Sequence, residues 1–475
     1  MHNSKLTALL SSFSASEWKS FLELVASPYF NRNPDLLRLA HWLHQSGKLR
    51  DNSTREQLWE ALYPGRPLDQ RQLNHLMSWL LKLGEQFLGL EHYLRQDFEP
   101  EWQTAEALLS RGLFKHYRFN AERLRRRLNE SVLRNTAYLL QQYRFADLEL
   151  RAHSNQEISR QTDEHLQQAS DQLDYFYLTE KLKYACTMLN NQNVVSSAYE
   201  FHFVEDVRRF VETHAFPANA PGIALYFRVY QMLVKENGDA DFWALRQLLP
   251  LQKDRFSREE MAWLYSYALN YCIRQIRHVR EEFVAEALQL YEEGVESGIL
   301  LTDNGQLSPW HYKNMVKLGL RLQRFAWTER FIREKNLLLA QDSRADALHF
   351  NLADLFFYTG RYAEAQQHLS QLEFSDVHYN LDAKEMLAKI YYETEAFDAL
   401  DSLLHAFKSY LQRNRIITEN VRKAYLNFIK WLRLLLRATP DKHAALRLRI
   451  EKSDRVTAKN WLLEQTKPGK NQPGD

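Results

Sequence analysis

Apolar residues recur at steps of three and four along most of the chain, and no alternating run long enough for a strand interrupts them. The clearest stripe is Leu73, Leu76, Leu80, Leu83, Phe87, Leu90 and Leu94, which predicts one long helix with a single buried face. Start and stop signals bracket the other segments. Ser14 and Glu17 have capping-box spacing, so a helix begins there and ends near Ser27-Pro28. Asn33-Pro34 supplies a cap followed by proline at the first helical position, Gly47 closes that helix, and Ser53 with Glu56 gives a second capping box. Longer helices are expected from Pro100 to about Asn193, then shorter ones to about Asp254, punctuated by Pro217, Pro221 and Gly238. Ser257 starts another helix pair, and the loop after it has Asn304-Gly305 as a turn and Ser308-Pro309 as a helix start. The expected fold is all-α.

One stretch occurs twice. LADLFFYTGRYAEAQQHLSQL, residues 352–372, returns as LAKIYYETEAFDALDSLLHAF at 387–407. Leu352, Ala353, Phe356, Gly360, Tyr362, Ala365, Leu369 and Leu372 map onto Leu387, Ala388, Tyr391, Glu395, Phe397, Leu400, Leu404 and Phe407 at one constant offset. A single helix-turn-helix of this size cannot bury its apolar stripe alone, so copies stack and share an elongated core. Spacing and residue types resemble the tetratricopeptide repeat, with departures at Glu395 and Leu400 in the second copy. SPYFN (27–31), NGQLSPW (304–310), RFAWTERFI (324–332), VHYNLDAKEMLAKIYYE (377–393) and NFIKWLRLLLR (427–437) together resemble a family of bacterial helical-repeat proteins with no assigned activity, over nearly the whole chain.

These resemblances imply a helical-hairpin (TPR-like) solenoid with an N-terminal helical region, and no mechanism. The expected divisions are 1–98 for that region, 99–256 for middle hairpins, 257–465 for repeats with basic C-terminal capping helices, and 466–475 for a disordered tail. In a tetratricopeptide-like stack the first helix of each pair lines the concave face. That places Phe350, Asp354, Phe357 and Tyr358 beside Glu385, Lys389, Tyr392 and Glu393 as a partner groove. The mixture lacks the Lys and Asn pattern of repeats that clamp a C-terminal carboxylate, so an aromatic-anchored segment is expected.

Charge adds a second candidate surface. Residues 408–475 hold 16 Lys and Arg against 6 Asp and Glu, whereas the whole chain is only +2. On one helix Arg415, Arg422, Lys430, Arg433 and Arg437 fall within a sector of about 60–80°, opposite Phe428, Leu432, Leu435 and Leu436. This basic stripe suits either a solvated outer face or an acidic partner.

Other chemistry is sparse. Gly84 and Gly89 are spaced like the start of a phosphate-binding loop, but they lie in a helical pattern and are followed by Leu90-Glu91. Neither a GxSxG elbow nor HExxH occurs. His41 with His44, and His202 with Glu200 and Glu205, lack an evident third and fourth ligand. The acidic residues of EMLAKIYYETE read as a solvated face beside a core stripe, and Leu124–Arg127 as another solvated face between Glu122 and Glu130. Gln70, Arg71, Asn74 and His75 could reach base edges from a helix-turn-helix, although its connection is overlong and Asp69 would meet phosphate.

No catalytic, cofactor-binding or metal-ligating residue is therefore assigned. The expectation is a chain that is not an enzyme, carries no cofactor, and acts as a protein-interaction scaffold for a protein or peptide. The alternative is a nucleic-acid-associated helical protein using the basic stripe. Two cysteines far apart, Cys186 and Cys272, offer no disulfide framework, and WLRLLLRA is broken by Arg433 and Arg437, so no membrane span is expected. The opening MHNSKLTALLSSFSASEW only faintly imitates a secretion signal, since its apolar run is diluted by Thr7, Ser11 and Ser12. A cytoplasmic location is the expectation.

Overall fold

The computed structural model describes residues 4–45, 54–154, 160–195, 198–372, 377–414 and 416–467. Among them every regular element is helical, and the one β contact is an isolated bridge between Leu301 and Leu307. The chain divides into two compact units: 1–131 with 140–173, and 132–139 with 174–475. This division passes through the span that the sequence reading groups as middle hairpins.

In the first unit, α1 (Lys5–Ser11), α2 (Ala15–Ala26), α3 (Pro34–Gln45) and α4 (Arg55–Leu62) surround α5 (Gln70–Arg95). The stripe on α5 behaves as its spacing requires: Leu73, Leu76, Leu80, Leu83 and Phe87 are buried, and only towards the end does Leu94 emerge. Phe13, Phe21 and Phe87 meet with ring centroids 5.3–5.5 Å apart. Ser14 and Glu17 form the reciprocal capping box on α2, and Asn33 Oδ1 accepts from the Asp35 amide at the start of α3. The second box is shifted by one residue. Thr54 and Gln57 make it, while Ser53, like Gly47, lies outside the described residues. A second core in this unit joins α6 (Glu99–Ser110), α7 (Phe114–Glu130) and the later part of α8 (Thr136–Ser154) around Trp102, Tyr117, Leu124 and Leu148.

α9 (Arg160–Val195) starts in the first unit and belongs from Asp174 to the second, which continues through α10 (Val204–Thr213), α11 (Pro221–Val234) and α12 (Asp239–Gln252). Four helix pairs follow: α13 (Arg258–Arg277) with α14 (Glu282–Glu296), α15 (Pro309–Arg321) with α16 (Phe325–Lys335), α17 (Arg344–Tyr358) with α18 (Tyr362–Leu369), and α19 (Val377–Glu393) with α20 (Phe397–Arg413). Then come α21 (Glu419–Leu436), α22 (His443–Glu451) and α23 (Lys459–Glu464). Ser257 and Ser308 cap α13 and α15 as their positions predict. Beyond the contact inside each pair, α15 touches α17 and α17 touches α19.

The four pairs share one turn. Val279, Gln323, Gly360 and Glu395 all have positive φ, between 55° and 73°. In each case the next residue's amide closes on the carbonyl five positions back: Arg280 on Gln275, Arg324 on Gly319, Arg361 on Phe356 and Ala396 on Tyr391. This is a left-handed helix cap, usual for glycine and strained for other residues. Seven residues before the turn lie Cys272, Val316, Ala353 and Ala388, and five residues after it lie Val284, Thr328, Ala365 and Leu400. All eight are 0% exposed.

Ala365 is fully buried within its pair, where the repeat register expects the two helices to touch. Changing it to leucine should cost about 1–3 kcal/mol by overpacking. Thermal unfolding indistinguishable from the parent chain would mean that this register is wrong.

Near the C-terminal end Gln465 and Thr466 are 1% and 3% exposed, and Gln465 donates to Glu393 at 2.7 Å. Residues 468–475 lie outside the described residues.

Candidate functional site: a cavity lined by successive first helices

Helical spacing builds this cavity from short steps on four elements. Lys317 and Arg321 on α15, Phe350, Asp354 and Phe357 on α17, and Asp382, Glu385, Lys389 and Glu393 on α19 recur at three or four residues and so face one way. Tyr358, Tyr362 and Met386 extend the lining, and Asn460, Trp461 and Glu464 of α23 complete it. The cavity opens to solvent and has a volume of about 650 Å³.

Of the eight groove residues expected from the sequence, Phe350, Asp354, Phe357, Tyr358, Glu385, Lys389 and Glu393 line this one cavity. Tyr392 does not. It turns into the C-terminal core, with its ring 5.4 Å from Trp461 in an edge contact. Phe357 is half-buried and Tyr358 is 56% exposed, so aromatic surface stays open.

The charged groups differ in how they are satisfied. Asp382 pairs with the buried Lys313 ammonium and accepts from the Tyr425 hydroxyl at 2.5 Å. Burial opposes its charge, but the charge and hydrogen bond of Lys313, with the Tyr425 hydrogen bond, outweigh it and hold the carboxyl below the usual range. Glu385 accepts from Lys389 at 2.5 Å and from the Thr457 hydroxyl. One oxygen of Glu393 accepts from both Trp461 Nε1 at 2.9 Å and Gln465 Nε2 at 2.7 Å. Arg321 is tied to Glu281.

Asp354 stands apart. It is 8% exposed and lines the cavity, where its oxygens keep access to solvent and accept no hydrogen bond that the structure shows among the described residues. Burial pushes its carboxyl above the usual range against the pull of Lys317, Lys389 and Lys313.

The basic stripe is less uniform than its spacing suggests. Arg415 lies outside the described residues. Arg422 is spent on the chain itself, donating to the carbonyls of Leu411, Asn414 and Ile417 at 3.0 Å each and to Glu419 at 2.8 Å. Arg433 has Nε and one terminal nitrogen buried without a partner. Among the described residues of this group only Lys430 and Arg437 are exposed, and Lys430 lies over the Trp431 ring at 4.9 Å.

The minor candidates stay dispersed. No group of three or more His, Cys, Asp or Glu among the described residues is placed to hold a metal ion; His44 packs on Trp18, and His202 meets Glu200 at 3.3 Å on an exposed surface. Gly84 and Gly89 are inside α5. Asp69 caps α5 by accepting from the Arg71 and Gln72 amides, and Gln70 accepts from Arg55. Arg125 pairs with Glu122 and Glu149, and Arg127 with Glu101.

Sequence reasoning missed Lys317, Arg321, Tyr362, Asp382, Met386, Asn460, Trp461 and Glu464 as lining residues. Lys317 and Arg321 could be placed only once the turn at Gln323 was seen in the structure, and α23 carries no repeat signal. Comparison with known proteins finds no matching family model, no similar curated protein and no similar solved structure.

Proposed function

We propose that the chain is a non-catalytic protein-interaction scaffold, a tetratricopeptide-like solenoid of helical hairpins that presents the cavity between α15, α17, α19 and α23 to a segment of a partner protein. The observation that carries this reading is the convergence of successive first helices on one cavity with aromatic surface left open. Large amphipathic rings anchor partner segments because they bury area at little entropic cost. The alternative, nucleic acid bound by the basic stripe, has less support, since Arg422 is committed to three carbonyls and a phosphate would have to displace them. The same proposal places the chain in the cytoplasm; the unbridged, buried Cys186 and Cys272 suit a reducing compartment. No helix among the described residues is long and apolar enough to cross a membrane.

The test is site-specific photo-crosslinking in the native cell. A photoreactive residue at Tyr358 should capture a discrete protein that the same residue at the exposed Ile416 does not. Identical capture at both positions, or none at Tyr358, would overturn the reading.

A further inference from the structure

The charges in the cavity do not cancel once internal pairs are removed. Lys389 answers Glu385, Arg321 answers Glu281, and Asp382 is held by Lys313 and Tyr425. What remains is Asp354 without a donor, the second oxygen of Glu393, and exposed Glu464, against exposed Lys317 alone. A carboxylate largely withdrawn from water, with lysines near it but no donor bonded to it, has acceptor capacity left for a ligand in the cavity. The surrounding rings already accept a cation of the chain: Lys389 Nζ lies 5.9 Å from the Phe357 centroid and 6.0 Å from that of Trp461.

We propose, on the basis of the scaffold reading above, that the partner segment is basic and inserts an arginine or lysine side chain, with Asp354 as its counter-ion and Phe357, Tyr358 and Trp461 packing against its stem. Binding would satisfy Asp354, which the chain itself leaves without a hydrogen bond. Arginine is the better occupant, because its guanidinium is weakly hydrated, stacks on rings and matches a carboxylate with paired donors. An acidic segment would set its charge against Asp354, Glu393 and Glu464.

The experiment uses the full chain and fluorescence anisotropy. Its probes are a fluorescein-labelled Gly-Gly-Arg-Gly-Arg-Gly-Gly peptide and the same peptide with citrulline, a neutral isostere, at both arginine positions. The arginine peptide should bind, and the citrulline peptide should be weaker by about ten-fold or more, as loss of a charge-assisted contact implies. Asp354→Asn keeps the shape and should weaken the arginine peptide by about five-fold or more. Asp398→Asn removes the same charge at an exposed site outside the cavity and should leave binding within about two-fold.

Absence of binding, equal binding of both peptides, or equal loss in the two variants would overturn the proposal. Since Asp354 accepts no hydrogen bond from the chain, its asparagine variant should keep the parent's circular dichroism. If it unfolds, competition on the parent chain by free N-acetyl-arginine amide against N-acetyl-citrulline amide decides the question in its place. A crosslinked partner at Tyr358 with no arginine preference would leave the scaffold reading standing and remove this one.

Discussion

Asp382→Leu is expected to destabilise the chain by about 3–5 kcal/mol, because it strands a buried ammonium. Lys313 is 8% exposed and its charge is answered by Asp382. The rings of Phe350, Tyr379 and Trp310 lie 5.1, 5.5 and 5.8 Å from Lys313 Nζ, but their faces recover only a fraction of a lost carboxylate. Tyr425 would lose its acceptor as well. The double variant Lys313→Met with Asp382→Leu should recover most of the loss, since apolar side chains of similar volume replace the pair without leaving a charge behind. Urea denaturation of both variants beside the parent checks this, and a double variant as unstable as the single one would contradict it. The pH dependence follows from the sign of the shift. Asp382 has its folded value held below the ordinary 3.8, so its contribution is complete above that value and is lost as acid titrates it through the folded one. Asp354 carries the opposite sign and weakens the fold once ionised.

Trp102→Ala is the second large effect, again about 3–5 kcal/mol, and it falls in the other unit. The indole is 1% exposed, donates to Gln141 Oε1 at 2.5 Å and lies under the Arg144 guanidinium at 4.8 Å. Truncation empties a core position and leaves Gln141 without its donor. Trp102→Phe keeps most of the volume and should lose only the hydrogen bond and part of the packing, roughly 1–2 kcal/mol. Equal losses in the two variants, measured by chemical denaturation, would show that packing around the indole is not what the position supplies.

Helices, caps and the register of the last two pairs were legible because each rests on local chemistry: an apolar step of three or four, a hydroxyl before a turn of helix, a small residue where two helices touch. The capping box at Thr54 was displaced by one residue because Ser53-Glu56 and Thr54-Gln57 satisfy the same spacing. The pair that Ser257 starts was read as a pair, but neither its register nor that of the α15–α16 pair was seen to match the last two, because the turn residue is Val279 in one and Gln323 in the other, and no amino-acid identity marks a left-handed residue when glycine is absent. The cavity was half legible. Its α17 and α19 walls follow from helical phase, whereas Trp461 reaches it by folding back from a segment with no periodic relation to the repeats. Tyr392 shows the limit of phase reasoning: it is one residue, about 100°, away from Glu393, and that rotation is enough to turn it into the core. Arg422 shows another, since helical phase says where a side chain points but not whether a neighbouring loop offers it carbonyls.

The common turn also bears on how such a chain keeps its shape while its sequence drifts. A pattern that demanded glycine at the turn would recognise one pair of the four, the one at Gly360. The fully buried positions seven before and five after it are occupied by Cys, Val, Ala and Ala, and by Val, Thr, Ala and Leu, which agree in being buried rather than in identity. What the four pairs have in common is a backbone angle and two fully buried positions. Helical hairpins can therefore differ at every letter and still close the same turn, and a search by residue identity alone will pass over such pairs.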